Sequence, residues 1–288
     1  MKEYIKLIRP FHWIKNILIF VPLFFGGQIT NIHKLGILVL GFISFSFVAS
    51  SVYIINDIQD AEKDRKHPKK KFRPIASGKI SKVNAAKFLV ILLIIAALIM
   101  IYASMDTGNW FAIFALPLSY LVINIAYSNG LKNIPLLDVA IISLGFVIRL
   151  YYGSVLSNIA ISDALFLTVV SASFFLGFGK RRNELKKGTS TRKVLKAYNI
   201  HFLDKIMYVF IGLTLVFYSL WTISKGEDLV YTVPFAMLIV ADYCLIIESD
   251  SSDGDPAEVL KHSKTLLSLL VLFAVVLFIC LYMTDCKI

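Results

Sequence analysis

Phe88-Leu89-Val90-Ile91-Leu92-Leu93-Ile94-Ile95-Ala96-Ala97-Leu98-Ile99-Met100-Ile101-Tyr102 contains no charged residue and no alternation of polar and apolar positions. Such a run does not read as a half-exposed strand. It approaches the roughly 20 apolar residues that a helix needs to cross a bilayer. Leu266–Tyr282 repeats the pattern near the other end of the chain. Between and before them lie further apolar segments, giving nine in all: 14–30, 36–55, 84–103, 110–127, 136–153, 160–179, 205–223, 229–247 and 264–284. Hydrophobic residues make up 57% of the chain, against roughly 45–50% in soluble domains, and mean hydropathy is +0.73. Lipid offers backbone groups no water, so helices or closed barrels are the available spanning structures. These runs are too long and too unalternating for barrel strands. The sequence predicts an all-α, polytopic membrane protein of about nine transmembrane helices. It shows no linker or close repeat, so residues 1–288 read as one integral-membrane domain.

Charge sets the expected orientation. Lys and Arg number 30 against 19 Asp and Glu, a net +11. In a soluble chain that excess would point to nucleic acid. In a membrane protein it fits the positive-inside bias and anionic ligands, so no nucleic-acid partner is expected. With the N-terminus inside, the opposite side holds only Lys34, Lys225 and Lys287, Arg149 lies within a span, and the other 26 basic residues gather inside. An odd number of spans in the cytoplasmic membrane follows, with the C-terminus outside. The polar connections 56–83 and 180–205 form a cytoplasmic cap. Lys2, Lys6, Arg9 and Lys15 precede the first apolar block and no small-residue cleavage site follows, which reads as an uncleaved first span. Cys244, Cys280 and Cys286 lack metal-ligand spacing, and a Cys280–Cys286 pair would need an oxidising side.

The second apolar run ends in Asn56-Asp57-Ile58-Gln59-Asp60-Ala61-Glu62-Lys63-Asp64-Arg65. On one continuous helix Asp57, Asp60 and Asp64 stand at i, i+3 and i+7 and share a face. Three like charges there repel unless a cation sits among them. Mg²⁺ takes hard oxygen ligands from one or two carboxylates, waters and substrate phosphates. The set Asn56, Asp57, Asp60 and Asp64 is therefore the expected catalytic and metal site, suited to a Mg²⁺–diphosphate. The plain alternative is a solvated helix end, its acids paired with Lys63, Arg65 and Lys66. A basic loop follows, His67-Pro68-Lys69-Lys70-Lys71-Phe72-Arg73-Pro74-Ile75-Ala76-Ser77-Gly78-Lys79. Pro68, Pro74 and Gly78 oppose a continuous helix across it. Lys70 and Arg73 suit phosphate oxygens, and Ser77 offers a hydroxyl. Lys69 and Lys71 read equally well as contacts to lipid head groups.

Further candidate substrate contacts are Lys15, Tyr127, Lys132, Asp138, Arg149, Lys180 and Arg181. Lys15 and Tyr127 also fit interfacial anchors, as Trp13 does. Asp138 and Arg149 are about three helical turns apart and can share one face of the fifth span. Ionisable groups inside a membrane usually face a cavity. Arg149 reads as a cavity ion pair or as a side chain snorkelling to the outer interface. His67 is a loop residue with a weak phosphate case. The acidic stretch Glu248–Asp255 lacks the full spacing of a calcium loop and reads as solvated.

The run Asn56-Asp57-x-x-Asp60-x-x-x-Asp64 resembles the first aspartate motif of the UbiA superfamily of intramembrane prenyltransferases. Nine spans match that superfamily too. His67-Pro68-x-Lys70-x-Phe72-Arg73-Pro74-Ile75-Ala76-Ser77-Gly78 is similar to the decaprenyl-phosphate phosphoribosyltransferase branch. So are Arg9-Pro10-x-x-Trp13-x-Lys15-Asn16, Tyr127-Ser128-x-x-Leu131-Lys132, Leu137-Asp138 with Gly145–Arg149, and Gly179-Lys180-Arg181-x-x-Glu184-Leu185. The resemblance implies helices around a central cavity. It also implies Mg²⁺-dependent transfer of 5-phosphoribosyl from phosphoribosyl pyrophosphate (PRPP) to a polyprenyl phosphate, with release of pyrophosphate. The superfamily's second aspartate motif is not evident, and Gly179-Lys180-Arg181-Arg182-Asn183-Glu184 stands in the corresponding loop. That departure weakens a two-motif, two-metal arrangement. The competing readings are prenyl transfer from a prenyl diphosphate to an aromatic acceptor, and a non-enzymatic transporter. Chain length of the lipid and assembly into a homo-oligomer stay open.

Overall fold

The computed structural model describes residues 2–188, 192–248, 259 and 263–283. Every regular element among them is helical. The helices are α1 (Lys2–Ile8), α2 (Val21–Phe25), α3 (Ile32–Gln59), α4 (Ala61–Arg65), α5 (Lys82–Thr107), α6 (Trp110–Ser128), α7 (Leu137–Ser157), α8 (Asp163–Lys187), α9 (Ile200–Lys225), α10 (Val233–Glu248) and α11 (Lys264–Tyr282). Local chemistry sets their ends. Asn31, Ser81, Ser162, Asn199 and Ser263 each accept a backbone N–H of the first turn that follows, in α3, α5, α8, α9 and α11. Side-chain acceptors there satisfy donors that have no partner within the helix. Gly108 and Gly188 close α5 and α8 in the left-handed conformation.

Among the described residues, eight helices are long and apolar enough to cross a membrane: α3, α5, α6, α7, α8, α9, α11, and α10 extended to Asp228–Glu248. The ninth expected span is different. Residues 14–30 do not form one α-helix. Pro10–Phe20 is 3₁₀ and α2 follows it. Together they pair with α1 across a 47° bend, and the pair counts as a span only if taken as one unit. Pro10 and Pro22 each remove a backbone donor from the segment.

The chain divides into two compact units. The first comprises the described residues of Met1–Asn129 and Ile148–Ala160. One apolar core in it joins α3, α5, α6 and the second half of α7 through Phe45, Ala49, Met100, Ile113, Tyr152 and Leu156. A smaller core gathers Leu7, Ile54, Ala61, Ile75, Ile80, Ala85 and Leu92. The second unit comprises the described residues of Gly130–Val147 and Ile161–Ile288. Its core takes Val139 from α7, Phe175 and Phe178 from α8, Leu203 and Met207 from α9, Tyr243 and Ile247 from α10, and Leu266 from α11. The first half of α7 belongs to this unit.

In lipid there is little hydrophobic drive between helices, so close packing at small residues carries the association. Gly153 of α7 is the tightest case. A Cβ there would lie 2.0 Å from the backbone oxygen of Ile19. At Gly41 of α3 the obstacle is the Leu156 Cδ1 atom, at 2.1 Å. A side-chain end can rotate away and a backbone oxygen cannot. Gly153→Ala is therefore expected to destabilise the protein by about 2 kcal/mol or more, and Gly41→Ala by less. Thermal unfolding of both variants in detergent checks the order, and equal losses would contradict it.

Candidate active site

The aspartate segment lies in the first unit, where α3 ends. Asp60 caps α3 with φ −87° and ψ 4°, and α4 begins at Ala61. Backbone bonds from Asp60 N–H to Asn56 O and from Asp64 N–H to Asp60 O carry the helical pattern across this joint, yet the three aspartates differ in burial. Asp57 and Asp64 turn inward, each 3% exposed. Asp60 is exposed, and its side chain makes no hydrogen bond or ion pair among the described residues.

The cation between the inward pair is a guanidinium. Arg73 Nη1 donates to Asp64 Oδ2 at 2.7 Å and to Asp57 Oδ1 at 3.1 Å. Arg9 Nη2 donates to the same Asp57 oxygen at 2.6 Å. Charge alternates along Arg9–Asp57–Arg73–Asp64 and sums to zero. Buried carboxylates are tolerated when paired and hydrogen-bonded in this way. Neither arginine is the partner that the solvated-helix alternative named. Arg65 instead pairs with Glu62 and reaches the Ala76 carbonyl.

Local structure holds both arginines in place. Pro74, Ile75 and Ala76 are buried, and Ile75 joins the core beneath the loop. Backbone bonds from Ser77 to Arg73, Gly78 to Ile75 and Ile80 to Pro74 tighten this plug. Arg73 is therefore fixed at the start of an anchored turn. Arg9 adopts φ 50°, ψ 63°, a left-handed conformation at a residue preceding proline. That backbone is costly for a non-glycine residue and persists only where its surroundings enforce it. The Ile8 carbonyl accepts the Ser50 hydroxyl, and Ser50 in turn accepts Trp13 Nε1. The Arg9 guanidinium lies 4.9 Å from the centre of the Tyr53 ring. Sequence reasoning used Arg9 as a motif letter and a positive charge. It did not see Arg9 as a partner of Asp57, because the strained turn leaves no sequence signal beyond the Arg-Pro pair.

Lys70 and Ser77 are exposed on the same loop, and the Ser77 hydroxyl donates to the Pro74 carbonyl. His67 Nδ1 accepts backbone N–H groups of Lys69 and Lys70, which makes it a turn-former. Asn56 is half-buried beside Asp57. Lys15 is half-buried within the 3₁₀ stretch, and Tyr127 lies near the end of α6. Arg149 does not snorkel. It is 6% exposed, donates to Asn16 Oδ1 at 2.7 Å and to the Tyr120 hydroxyl at 3.1 Å, and lies over the Phe45 and Tyr120 rings. Aromatic faces and neutral acceptors solvate the guanidinium in place of water.

Asp138, Lys132, Lys180 and Arg181 belong to the second unit. Lys132 sits on a short 3₁₀ turn and Lys180 on α8, both half-buried. Asp138 and Arg181 are fully buried and bonded to each other, Nε to Oδ2 at 2.5 Å. Tyr198 donates to the other Asp138 oxygen at 2.7 Å while accepting the Leu136 N–H at 2.6 Å. Arg181 also reaches Glu184 at 2.9 Å. Both Asp138 oxygens are thus engaged within the unit. Tyr198 was not singled out from sequence, since 60 residues separate it from Asp138. The acidic stretch after Glu248 and Cys286 lie outside the described residues.

No three Asp, Glu, His or Cys side chains converge at metal-binding distance among the described residues. Mg²⁺ does not require three. One or two carboxylates with waters and phosphates complete its shell. Asn56, Asp57, Asp60 and Asp64 supply hard oxygens, and among the described residues Asp60 has no competing partner. The donor set fits Mg²⁺ in kind.

Burial pushes the Tyr198 hydroxyl up from its ordinary 10.0 to about 12, and Asp138 adds to the shift. A raised pKa contributes stability that is complete below pH 10.0 and is lost as pH rises through about 12. Tyr198→Phe should cost about 1–3 kcal/mol at neutral pH, because Asp138 and the Leu136 N–H lose a partner. Its stability should also fall less steeply than that of the unaltered chain over the same alkaline window. Thermal unfolding at pH 8 and pH 11 measures both effects, and parallel pH profiles would contradict the assignment.

Residues 17–266 match the model of the UbiA prenyltransferase family. The decaprenyl-phosphate phosphoribosyltransferase of Mycolicibacterium smegmatis is 32% identical over 284 residues, covering 91% of this chain and 87% of the relative. That of Corynebacterium glutamicum is 29% identical over 287 residues, covering 95% and 85%. Among solved structures, a UbiA homolog from Archaeoglobus fulgidus bound to GPP and Mg²⁺ superposes with a TM-score of 0.71 at 19% identity, over 97% of this chain and 99% of that one. Its helical fold agrees with the one described above. With the match running from the first apolar segment to the start of α11, the chain belongs to the UbiA prenyltransferase family and is an integral membrane transferase.

Proposed function

We propose that this enzyme transfers the 5-phosphoribosyl group of PRPP to a polyprenyl phosphate and releases pyrophosphate. The names of the two relatives above support the reading. The single structural observation that carries it is the Arg9–Asp57–Arg73–Asp64 network beside an exposed, uncommitted Asp60.

An oxygen of the lipid phosphate attacks the ribose anomeric carbon. The bond from that carbon to the pyrophosphate oxygen breaks, and its electron pair leaves with pyrophosphate. A phosphate is already anionic near neutral pH, so no general base is needed, and orientation and charge stabilisation carry the rate. Asp60, with Asn56, Asp57 and Asp64, would hold Mg²⁺ through oxygen donors. When bound, the ion supplies charge neutralisation for the leaving diphosphate. Arg9 and Arg73 present planar N–H forks suited to phosphate oxygens. Lys70 and Ser77, exposed on the Arg73 loop, add further donors. The inward carboxylates keep both guanidiniums oriented before substrate arrives. The positive-inside bias supports a cytoplasmic position for this face.

The purified protein should consume PRPP only when polyprenyl phosphate and Mg²⁺ are both present, with product mass equal to the lipid phosphate plus a phosphoribosyl unit. Alkylation of an aromatic acceptor by a prenyl diphosphate, without PRPP turnover, would overturn the reading. Asp60→Asn should cut turnover at least about 100-fold with little change in unfolding temperature, since the Asp60 side chain makes no hydrogen bond or ion pair among the described residues. Asp57→Asn should lose both activity and stability, because Arg9 and Arg73 then lack their counter-charge. Near-normal turnover in both variants would remove these carboxylates from the mechanism.

A further inference from the structure

The second unit holds a cavity of about 220 Å³ lined by Arg182 of α8, by Asp204, Met207 and Tyr208 of α9, and by Ala241, Cys244, Leu245 and Glu248 of α10. The α9 positions stand at i, i+3 and i+4, and the α10 positions at i, i+3, i+4 and i+7. Each helix therefore gives one continuous stripe. The charged residues lie near the same helix ends: the last turns of α8, the first turns of α9 and the last residue of α10. Moving along α9 and α10 away from those ends, the lining becomes apolar. The groove has a polar mouth and a hydrocarbon wall, and Tyr208 and Leu245 at its rim are exposed.

The mouth is built. Arg182 is 8% exposed. It bonds to Asp204 through Nε and to Glu248 through Nη2, the latter at 2.5 Å. Lys186 donates to the Glu248 carbonyl at 2.9 Å. Among the described residues the mouth thus holds two cations and two carboxylates. Yet Arg182 Nη1 is buried without a hydrogen-bond partner among the described residues. An unmatched donor of that kind is rare and calls for an acceptor. Glu248, 52% exposed, keeps room for a donor from outside.

We propose that this groove binds an amine-bearing zwitterionic phospholipid. The phosphate or ester oxygens accept from Arg182 Nη1. The ammonium donates to Glu248 and Asp204. One acyl chain lies along Met207, Tyr208, Ala241, Cys244 and Leu245. Balanced charge among the described mouth residues favours a zwitterion over an anionic lipid, and the exposed Glu248 carboxylate favours an ammonium, which can donate a hydrogen bond, over a choline, which cannot. The space is several times the roughly 30 Å³ of one water, which suits a headgroup.

The test compares thermal unfolding of the full chain in detergent micelles doped with equal amounts of phosphatidylethanolamine, phosphatidylcholine or phosphatidylglycerol. Phosphatidylethanolamine should raise the transition by about 3 °C more than either other lipid. That increment should vanish in Arg182→Gln and in Ala241→Trp, which blocks the wall and leaves every charge intact. If Arg182→Gln does not fold, Ala241→Trp decides alone. Equal shifts with all three lipids, a preference for phosphatidylglycerol, or an increment that survives Ala241→Trp would each overturn the proposal.

Discussion

The first unit depends on one carboxylate. Asp57, at the end of a 28-residue helix, accepts two guanidiniums that arrive from opposite directions in sequence, Arg9 from the N-terminal segment and Arg73 from the loop after α4. Removing one partner from a buried ion pair costs about 3–5 kcal/mol, because the remaining charge has nowhere to be solvated. That penalty links three segments, together with the Ser50 bonds to Ile8 and Trp13 and the Asn16–Ser46 bond. It also accounts for the strained backbone of Arg9. A left-handed residue before a proline is unfavourable alone, and the pairing with Asp57 and the stacking on Tyr53 offset it.

The second unit solves the same problem with different residues. Asp138 and Arg181 are completely buried, and Tyr198 takes the remaining carboxylate oxygen. Tyr198 also satisfies the N–H of Leu136, which stands at φ 65°. A half-satisfied network would be worse than an apolar core. Arg149 shows a third solution, in which an amide, a phenol and two ring faces surround the charge. In a medium that penalises every unmatched polar group, all three arrangements keep a charge only where its contacts are closely specified.

Much of this was legible in sequence because lipid imposes long, uncharged runs, and those runs fix the helices. The first span was the exception. Its hydropathy matches the others, but Pro10 and Pro22 break the helix, and hydropathy is blind to that. In the site, Asp57, Asp64 and Arg73 stood out by spacing and by the prolines around Arg73. The difference in burial among the aspartates did not, because pairing with Arg9 and Arg73 goes with it and periodicity carries no record of those partners. Arg9, Tyr198 and the Arg182 cluster were missed for a common reason. Each acts through a partner dozens of residues away, and one sequence carries no record of that pairing. Asp138 and Arg181 were both noted, yet as separate ligands, since nothing in their spacing says that they bond.

The network can serve two purposes at once because the arginines engage Asp57 and Asp64, while the exposed Asp60 side chain has no hydrogen-bond or ion-pair partner among the described residues. The arginines are not consumed either. Their side chains stay 24% and 29% exposed while their acid partners are 3% and 4% exposed. Each guanidinium has five N–H donors in a rigid fork. The inner donors hold the fold, and the outer edge remains available to an anion. On the proposed reading, a polyphosphate would meet arginines already oriented by buried carboxylates and one carboxylate still unneutralised. Asp60, with Asn56, Asp57 and Asp64, would hold Mg²⁺, which would supply charge neutralisation for the leaving diphosphate.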